Sequence, residues 1–370
     1  MNQEQFDWLR LHMTPGLGRV GLMRLMDAFD SSTAILDAGP SAWKQQAGIR
    51  SAVASALPPA GDPEVHKAAQ NLIHQGVSLI SFRDKKNYPA LLRTIYDPPA
   101  LLYMRGHLPD QPAIAVVGAR GASSAGRRLT TEICAELASR DISVVSGLAR
   151  GIDSAAHLGA LETGHTVAIL GCGIDRVYPP ENTDLFERIA AAGAILSEHP
   201  PGTPPLAGNF PGRNRIISGL SQGVLIVEAA DRSGSLHTAD FALQQGREVF
   251  AVPGPVYSRT GSGVNRLLKE GAHLVTEARD ILEILWPARA RKLPLHADDP
   301  LLKTLNKQQL SVYRALGEEP LHVDEIARKC CLTAMELSSI LLHLELQGGA
   351  TQLPGTRYIR HRTPRQRGGL

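Results

Sequence analysis

Cysteine is scarce. The four thiols, Cys134, Cys172, Cys330 and Cys331, show no Cys-x-x-Cys spacing, which argues against a disulfide framework and against a zinc module. Long apolar runs are missing as well. The run around Ala168–Leu170 stops far short of the ~20 residues needed to span a bilayer, so no membrane association is expected. Met1–Gln5 has no basic segment followed by an apolar one, and no secretory leader is expected. Charge of one sign is lacking too, since 39 Lys and Arg face 36 Asp and Glu, a net charge of +3. No Gly-x-x-x-x-Gly-Lys-[Ser/Thr] and no His-Glu-x-x-His occurs, the loop after the first parallel strand lacks Gly-x-Gly-x-x-Gly spacing, and there is neither an internal repeat nor a low-complexity tract. These absences leave a soluble, cytoplasmic, multidomain protein without a metal or a nucleotide cofactor as the expectation.

At ~150 residues per domain, the 370 residues predict two to three domains. A 43% hydrophobic and 20% charged composition supplies a sizeable core. The net charge is uneven: residues 1–111 carry 11 basic and 10 acidic groups, residues 112–285 carry 15 and 18, and residues 286–370 carry 13 and 8. Any surface for a polyanion is therefore local. The basic tail Arg357–Arg367 reads first as solvated, with phosphate contact as the alternative.

Three textures follow one another. Residues 1–75 show helical periodicity, with Leu22, Leu25, Met26 and Phe29 on one face and a tight Pro15-Gly16-Leu17-Gly18 turn. That turn resembles a helix-hairpin-helix, in which backbone amides meet a DNA phosphate, or is simply a helix connection. Residues 76–285 begin with a transition holding a short strand, Val77–Phe82, and the Pro98-Pro99 break. From Pro112, apolar runs alternate with helical patterns: Ala113–Val117, Ser143–Ser146, Thr166–Leu170, Ala194–Ser197, Val224–Val227 and Glu248–Val252. Such runs predict a Rossmann-like, doubly wound α/β domain with a mostly parallel sheet, whose ligands bind beyond the carboxyl ends of the strands. A polar linker, 286–306, leads to residues 307–370. These read as helices Gln308–Leu316, Val323–Lys329 (after the turn Glu319-Pro320) and Thr333–Leu346, then a hairpin Ala350–Arg360 turning at Pro354-Gly355, which is a winged helix. Its third helix has no Lys or Arg and carries Glu336 and Glu345, so protein contact or regulation is favoured over groove reading; residual DNA binding would run through Arg357, Arg360 and Arg362.

The chemistry-bearing segments cluster in the middle domain. The first parallel strand runs into Gly118-Ala119-Arg120-Gly121, where a turn and a following helix N-terminus offer N–H groups to an anion. Arg120 suits a bidentate phosphate contact; a salt bridge to Glu228 is the alternative. Asn209-Phe210-Pro211-Gly212-Arg213-Asn214-Arg215 pairs two arginines with an aromatic. Either the arginines take phosphates while Phe210 stacks on a base, or Phe210 plugs the core and the arginines hold the loop. Asp153 and His157, and Ser233 and His237, stand four apart on helices, which permits acid–base or nucleophile–base pairs; structural roles are favoured for both. Glu198-His199 alone makes no metal site.

Several ordered motifs together resemble the DNA-processing protein A family, also called Smf. They are Ser146-Gly147-Leu148-Ala149-Arg150-Gly151-Ile152-Asp153 with Ala156-His157, Leu170-Gly171-Cys172-Gly173-Ile174-Asp175, and Tyr178-Pro179-Pro180-Glu181-Asn182. Further on come Asn209 to Gly219, Val227-Glu228-Ala229, Ser233-Gly234-Ser235-Leu236, Val252-Pro253-Gly254-Pro255 and Lys269-Glu270-Gly271-Ala272. Tyr88-Pro89 and Asp97-Pro98-Pro99 extend the likeness upstream, so it is dense over 85–285. The resemblance implies a dimeric, non-enzymatic protein that binds and shields single-stranded DNA in natural transformation (competence) and helps load the RecA recombinase for homologous recombination. It implies a DNA site of Gly118, Ala119, Arg120, Gly121, Gly147, Asn209, Phe210, Arg213, Asn214 and Arg215. Alanine stands at 119 where the family's Gly-Ser-Arg loop has serine; the Arg-Asn-Arg loop is unchanged. Two competing readings are a nucleotide hydrolase using Glu228, Asp153 or His157, which lacks the Pro-Gly-Gly-x-Gly-Thr signature of phosphoribohydrolases, and a nucleotide-sensing winged-helix regulator.

Overall fold

Strands that alternate with helices and are apolar throughout have to be covered on both faces, and the computed structural model shows this arrangement. It describes residues 1–290, 305–317, 320–330, 332–353 and 355–360. Residues 1–290 form one compact unit and the rest of the chain a second.

The first unit opens with helices α1 (Gln3–His12), α2 (Arg19–Ala28), α3 (Ser32–Ala47, kinked at Gly39-Pro40), α4 (Ser51–Ala54) and α5 (Pro63–His74). Side-chain caps start several of them: Asn2 receives the Gln5 amide, and Asp62 receives those of Glu64 and Val65. Strands β1 (Val77–Ser81) and β2 (Leu101–Gly106) follow, with short α6 (Ala90–Arg93) between them. The alternating part is β3 (Ala113–Gly118), α7 (Ser124–Ala138), β4 (Ser143–Ser146), α8 (Ile152–Thr163), β5 (Thr166–Leu170), α9 (Thr183–Ala192), β6 (Ala194–Ser197), α10 (Asn209–Gly219), β7 (Gly223–Val227), α11 (Leu236–Gln244), β8 (Glu248–Ala251), α12 (Ser262–Lys269), β9 (His273–Leu274), α13 (Ala278–Leu285) and α14 (Pro287–Ala290).

All nine strands join one sheet, in the order β1-β2-β6-β5-β4-β3-β7-β8-β9. Pairing from β6 to β9 is parallel, while β1 and β2 add an antiparallel edge through Tyr103 opposite Ser197. The six strands expected from sequence are present. The region 76–111, expected as a transition with one strand, instead supplies two sheet strands: β2 follows directly on the Pro98-Pro99 break, which hid it. Strand β9 is too short for periodicity to reveal.

The helices α1–α5 share their core with the sheet rather than forming one of their own. Trp8, Leu22, Leu25, Ile35 and Trp43 pack in one cluster with Tyr103, Leu170, Phe186 and Ile195. Two further clusters cover the sheet, one around Ile114, Val116 and Phe250, the other around Val117, Ile169 and Ile226. The end of the first unit reaches into the expected linker, since Arg140 and Arg289 exchange bonds with each other's backbone carbonyls. No helix among the described residues is long and apolar enough to cross a membrane.

The second unit contains α15 (Lys307–Ala315), β10 (Leu321–His322), α16 (Val323–Cys330), α17 (Ala334–Leu346), β11 (Ala350–Leu353) and β12 (Arg357–Arg360), with sheet order β10-β12-β11. Val312, Leu316, Ile326, Leu337, Leu341 and Leu344 make its core. This is the winged helix read from the sequence, with helix bounds within a residue of those expected. Thr333 and Glu336 form a capping box on α17, which accounts for one acid of that helix. Residues 291–304 of the linker, Glu319, Cys331, Pro354, and the tail from His361 with Arg362 and Arg367 lie outside the described residues.

Trp43 is fully buried and donates its indole N–H to the Ile35 carbonyl at 2.6 Å. Because its cluster includes strand residues, Trp43→Ala is expected to lower the stability of the whole first unit by about 3–5 kcal/mol, read as one shifted urea transition.

Candidate nucleic-acid interface

Winding of the sheet reverses at β3, so the loops after β3, β4 and β7 meet over one crevice, the place where open α/β sheets bind ligands. Gly118 ends β3 against the Val227 carbonyl, leaving no room for a Cβ. The chain turns through Ala119, Arg120 and Gly121 into α7, where the Ser123 hydroxyl caps the helix by accepting the Gly126 amide at 2.9 Å. The Ser123 amide and hydroxyl both donate to Glu228, the amide at 2.9 Å. Glu228 itself sits at φ 52°, a left-handed conformation that a non-glycine residue keeps only where its surroundings fix it. It anchors the loop, and the Arg120–Glu228 salt bridge weighed from sequence does not form. Arg120 is exposed and has no ion-pair partner among the described residues.

The loop after β4 locks onto this one. Ile152 donates its amide to the Ala119 carbonyl at 3.2 Å, and Gly151 passes so close to the Ala119 and Arg120 carbonyls, at φ 77°, that only glycine fits. Buried Asp153 accepts the amides of Gly147 (3.1 Å) and Ala149 (3.4 Å), which is the structural role favoured from sequence. Burial raises its carboxyl pKa, against the pull of Arg213.

Helix α10 brings Asn209-Phe210 and Arg213-Asn214-Arg215, and its residues part company. Arg213 is 4% exposed and donates to the Ile169 carbonyl at the end of β5. Gly147 lies against its guanidinium, where a Cβ would come within 2.6 Å of the central carbon. Burial pushes the guanidinium down to about 10, so it remains a cation at neutral pH, and its Nε has no hydrogen-bond partner among the described residues. Asn214 donates to the Gly234 carbonyl at 3.2 Å, tying α10 to the loop after β7. Arg215 turns away from the crevice: it forks onto Glu198 at 2.7 and 2.6 Å and also bonds the Asp97 carboxylate at 3.2 Å. A helix advances ~100° per residue, so side chains two apart point to opposite sides, and the arginine spacing itself separates these two roles.

Phe210 belongs to none of the core clusters. It is half-buried on the crevice wall with the Arg120 guanidinium 5.5 Å and that of Arg213 5.8 Å from its ring centre, and Tyr178 lies beside it at 5.7 Å. Cations stacked on an aromatic face are attracted by its quadrupole. Around them opens a cleft of about 770 Å³, lined by Arg120, Asp153, Phe210, Arg213 and Asn214 and also by Arg232 and Arg259. Sequence reasoning singled out Arg120, Phe210 and Arg213 but missed Arg259 and the place of Tyr178. Asn209 lies apart, in a neighbouring cavity of about 730 Å³ with the Pro15–Gly18 turn. Gly121 is on the exposed loop, and Gly147 acts beneath Arg213.

Neither enzyme-like pair assembles. His157 is fully buried, 2.7 Å from the Thr166 hydroxyl, and its pKa is lowered to about 3 by burial and by Arg213. Ser233 bonds Ser235 at 2.7 Å, while His237 lies 3.7 Å from Asp240. No cluster of His, Cys, Asp or Glu among the described residues suits a metal.

Two outcomes follow from this chemistry. Arg215→Ala strands the nearly buried Glu198 carboxylate and is expected to cost about 3–5 kcal/mol in urea denaturation, whereas Arg120→Ala leaves stability unchanged. His157 and His12, both lowered to about 3 by burial, stay neutral when folded and protonate on unfolding. Stability is therefore full above the ordinary histidine pKa of 6.5 and declines as pH falls from there toward 3, by about 1.4 kcal/mol per pH unit for each ring. Denaturation series at stepped pH should show this decline, shallower in His157→Gln.

Comparison with known proteins places these features in a family. Residues 78–286 match DNA recombination-mediator protein A, and residues 296–356 match the DprA winged helix domain. Protein Smf of Synechocystis sp. is 33% identical over 97% of this chain and 99% of its own, and Protein Smf of Escherichia coli is 42% identical over 75% and 76%. Among solved structures, DNA processing protein A from Streptococcus pneumoniae aligns with a TM-score of 0.66 at 34% identity, covering 77% of this chain and 99% of that one. DNA processing protein A from Helicobacter pylori, described for its single-stranded DNA binding mode, aligns with a TM-score of 0.53 at 30% identity, covering 58% and 98%. The chain belongs to the DNA recombination-mediator protein A family, whose members also carry the names DprA and Smf.

Proposed function

We propose that the cleft at the carboxyl ends of β3, β4 and β7 binds single-stranded DNA, and that the protein works in the cytoplasm as a homodimer, shielding incoming strands in natural transformation and helping to load the RecA recombinase onto them. In this reading residues 1–75 are a helical module, 76–285 the DNA-binding domain, 286–306 a linker and 307–370 a winged helix. The observation that carries the reading is the placement of Arg120 and Arg213 about one aromatic ring, Phe210, on the wall of an open cleft. A cationic groove with an aromatic platform suits a backbone of phosphates with unstacked bases, without sequence readout. The family, and the relative described as binding single strands, support the same choice.

Phosphate would lie against Arg120 and the amides of Arg120 and Gly121, which have no partner among the described residues. Arg213 contributes its charge from below, held rigid by Ile169 and Gly147. Phe210 would receive a base beside Asn214. Ala119 supplies no hydroxyl, so the turn relies on backbone donors and the arginine. Arg215 acts by fixing α10 to Glu198 and Asp97, and Asn209 by its place at the start of that helix. The groups weighed as a general base are committed to the scaffold, which supports a binding role over hydrolysis: His157 is buried, Glu228 is held by Ser123 and Asp153 accepts the amides of Gly147 and Ala149. A homodimer would set two clefts on one strand and raise affinity through effective concentration.

Fluorescence anisotropy with labelled oligothymidylate of about 30 nucleotides, against duplex of equal length, tests this. Tight single-strand binding that falls steeply with salt and is lost in Arg120→Ala is expected. Equal binding by that variant, or no binding by the wild type at low salt, would overturn the reading.

A further inference from the structure

The cleft has a second cationic wall that the family motifs do not explain. Arg232, after β7, and Arg259, before α12, both line it together with Arg120. Both are exposed, and neither has an ion-pair partner among the described residues. Counting the lining side chains, four arginines (Arg120, Arg213, Arg232, Arg259) stand against two aspartates. Of those acids, Asp153 is buried under Arg213 and Asp231 leans 3.9 Å from Arg266, outside the lining. Arg120, Arg232 and Arg259 thus have no carboxylate paired with them among the described residues, and like charges gathered on one concave surface are stabilised by an anion entering between them.

The segment that carries Arg259 is held at its base and bare at its tip. The Asn265 side chain accepts the Gly254 amide at 3.1 Å and donates to the Gly254 carbonyl at 2.9 Å, and Gly254 packs on Gly261 too closely for a side chain on either. At the tip, two residues before Arg259, Tyr257 is fully exposed with nothing packed on its ring. An aromatic left wholly in water thus stands two residues from an arginine without an ion-pair partner, on a loop that reaches the cleft.

We propose that this second wall is a continuation of the strand path: Arg232 and Arg259 take the phosphate that follows the one at Arg120, and Tyr257 stacks on the base beyond it. The ligand is a single-stranded polynucleotide long enough to cross the cleft. This rests on the cleft being the single-strand site, as proposed above.

The test compares Arg120→Ala, Arg232→Ala, Arg259→Ala, Tyr257→Ala and Tyr257→Phe with the wild type in the full chain. Labelled oligothymidylates of about 4 and about 20 nucleotides are titrated at several salt concentrations. All four positions are exposed, so folding is preserved. Tyr257→Ala is expected to weaken binding of the longer strand at least about five-fold while Tyr257→Phe retains it. Each of Arg232→Ala and Arg259→Ala is expected to lower the slope of log affinity against log salt by about 0.7. The shorter strand should be indifferent to all three alanine changes and lost only with Arg120→Ala. Unchanged affinity and slope for the longer strand in the Arg232, Arg259 and Tyr257 variants, with Arg120→Ala still abolishing binding, would overturn this inference and leave the first site standing. Retained binding by Arg120→Ala would overturn the first reading instead, and failure of the wild type to bind either strand would overturn both.

Discussion

The guanidinium of Arg213 is the group about which the cleft is built. It is a cation taken out of water, and such a group survives burial only with hydrogen bonds and a nearby opposite charge. The Ile169 carbonyl and the buried Asp153 supply these. Asp153 in turn organises the turn after β4 by accepting two amides, and Gly147 is the residue that lets the arginine come so near that turn. One buried pair thus fixes the relative positions of β4, β5 and α10, and Phe210 is carried into place as part of the same helix.

A division of labour among neighbouring arginines follows. Arg213 is immobilised inside, Arg215 binds α10 to Glu198 and Asp97, and Arg120 stands free on a loop that Glu228 and Gly151 keep in shape. Rigid support beneath and an uncommitted charge above is what a surface that holds a flexible strand requires, because side chains already fixed lose little entropy when the ligand arrives. Loops after each of β3 to β8 contribute to the cleft, and those after β3, β4 and β7 are tied by side-chain or backbone bonds to a neighbour.

Much of the fold was legible because parallel strands buried on both faces read as unbroken apolar runs, which is how β3 to β8 stand out. Strand β2 did not, since a double proline precedes it and its second half turns polar at Arg105; β9 is two residues long and carries no period. The site was legible in its types of residue and less so in their directions. Arg120 at a strand end pointed to the cleft correctly. The role of Arg215 was hidden by reading Arg213-Asn214-Arg215 as a strip, although helical geometry turns adjacent positions apart. The partners of Arg215, Asp97 and Glu198, lie 118 and 17 residues away, beyond what local spacing conveys. Arg259 was missed because nothing in its neighbourhood signals that its loop reaches the cleft at the end of β3.

The antiparallel edge made by β1 and β2 bears on how the chain is assembled during synthesis. Strand β2 pairs with β1 nearby, but its other neighbour, β6, comes much later: Tyr103 waits for Ser197, 94 residues further on. Closing so long a loop is slow, and domains emerge from the ribosome N-terminus first. Helices α1–α5 with the β1–β2 ribbon therefore leave the ribosome as a half-covered piece, their apolar side exposed until the central strands have been made. Strand β2 gains its second neighbour only once β6 has been made, and until then the apolar face of this piece has nothing of its own chain to cover it.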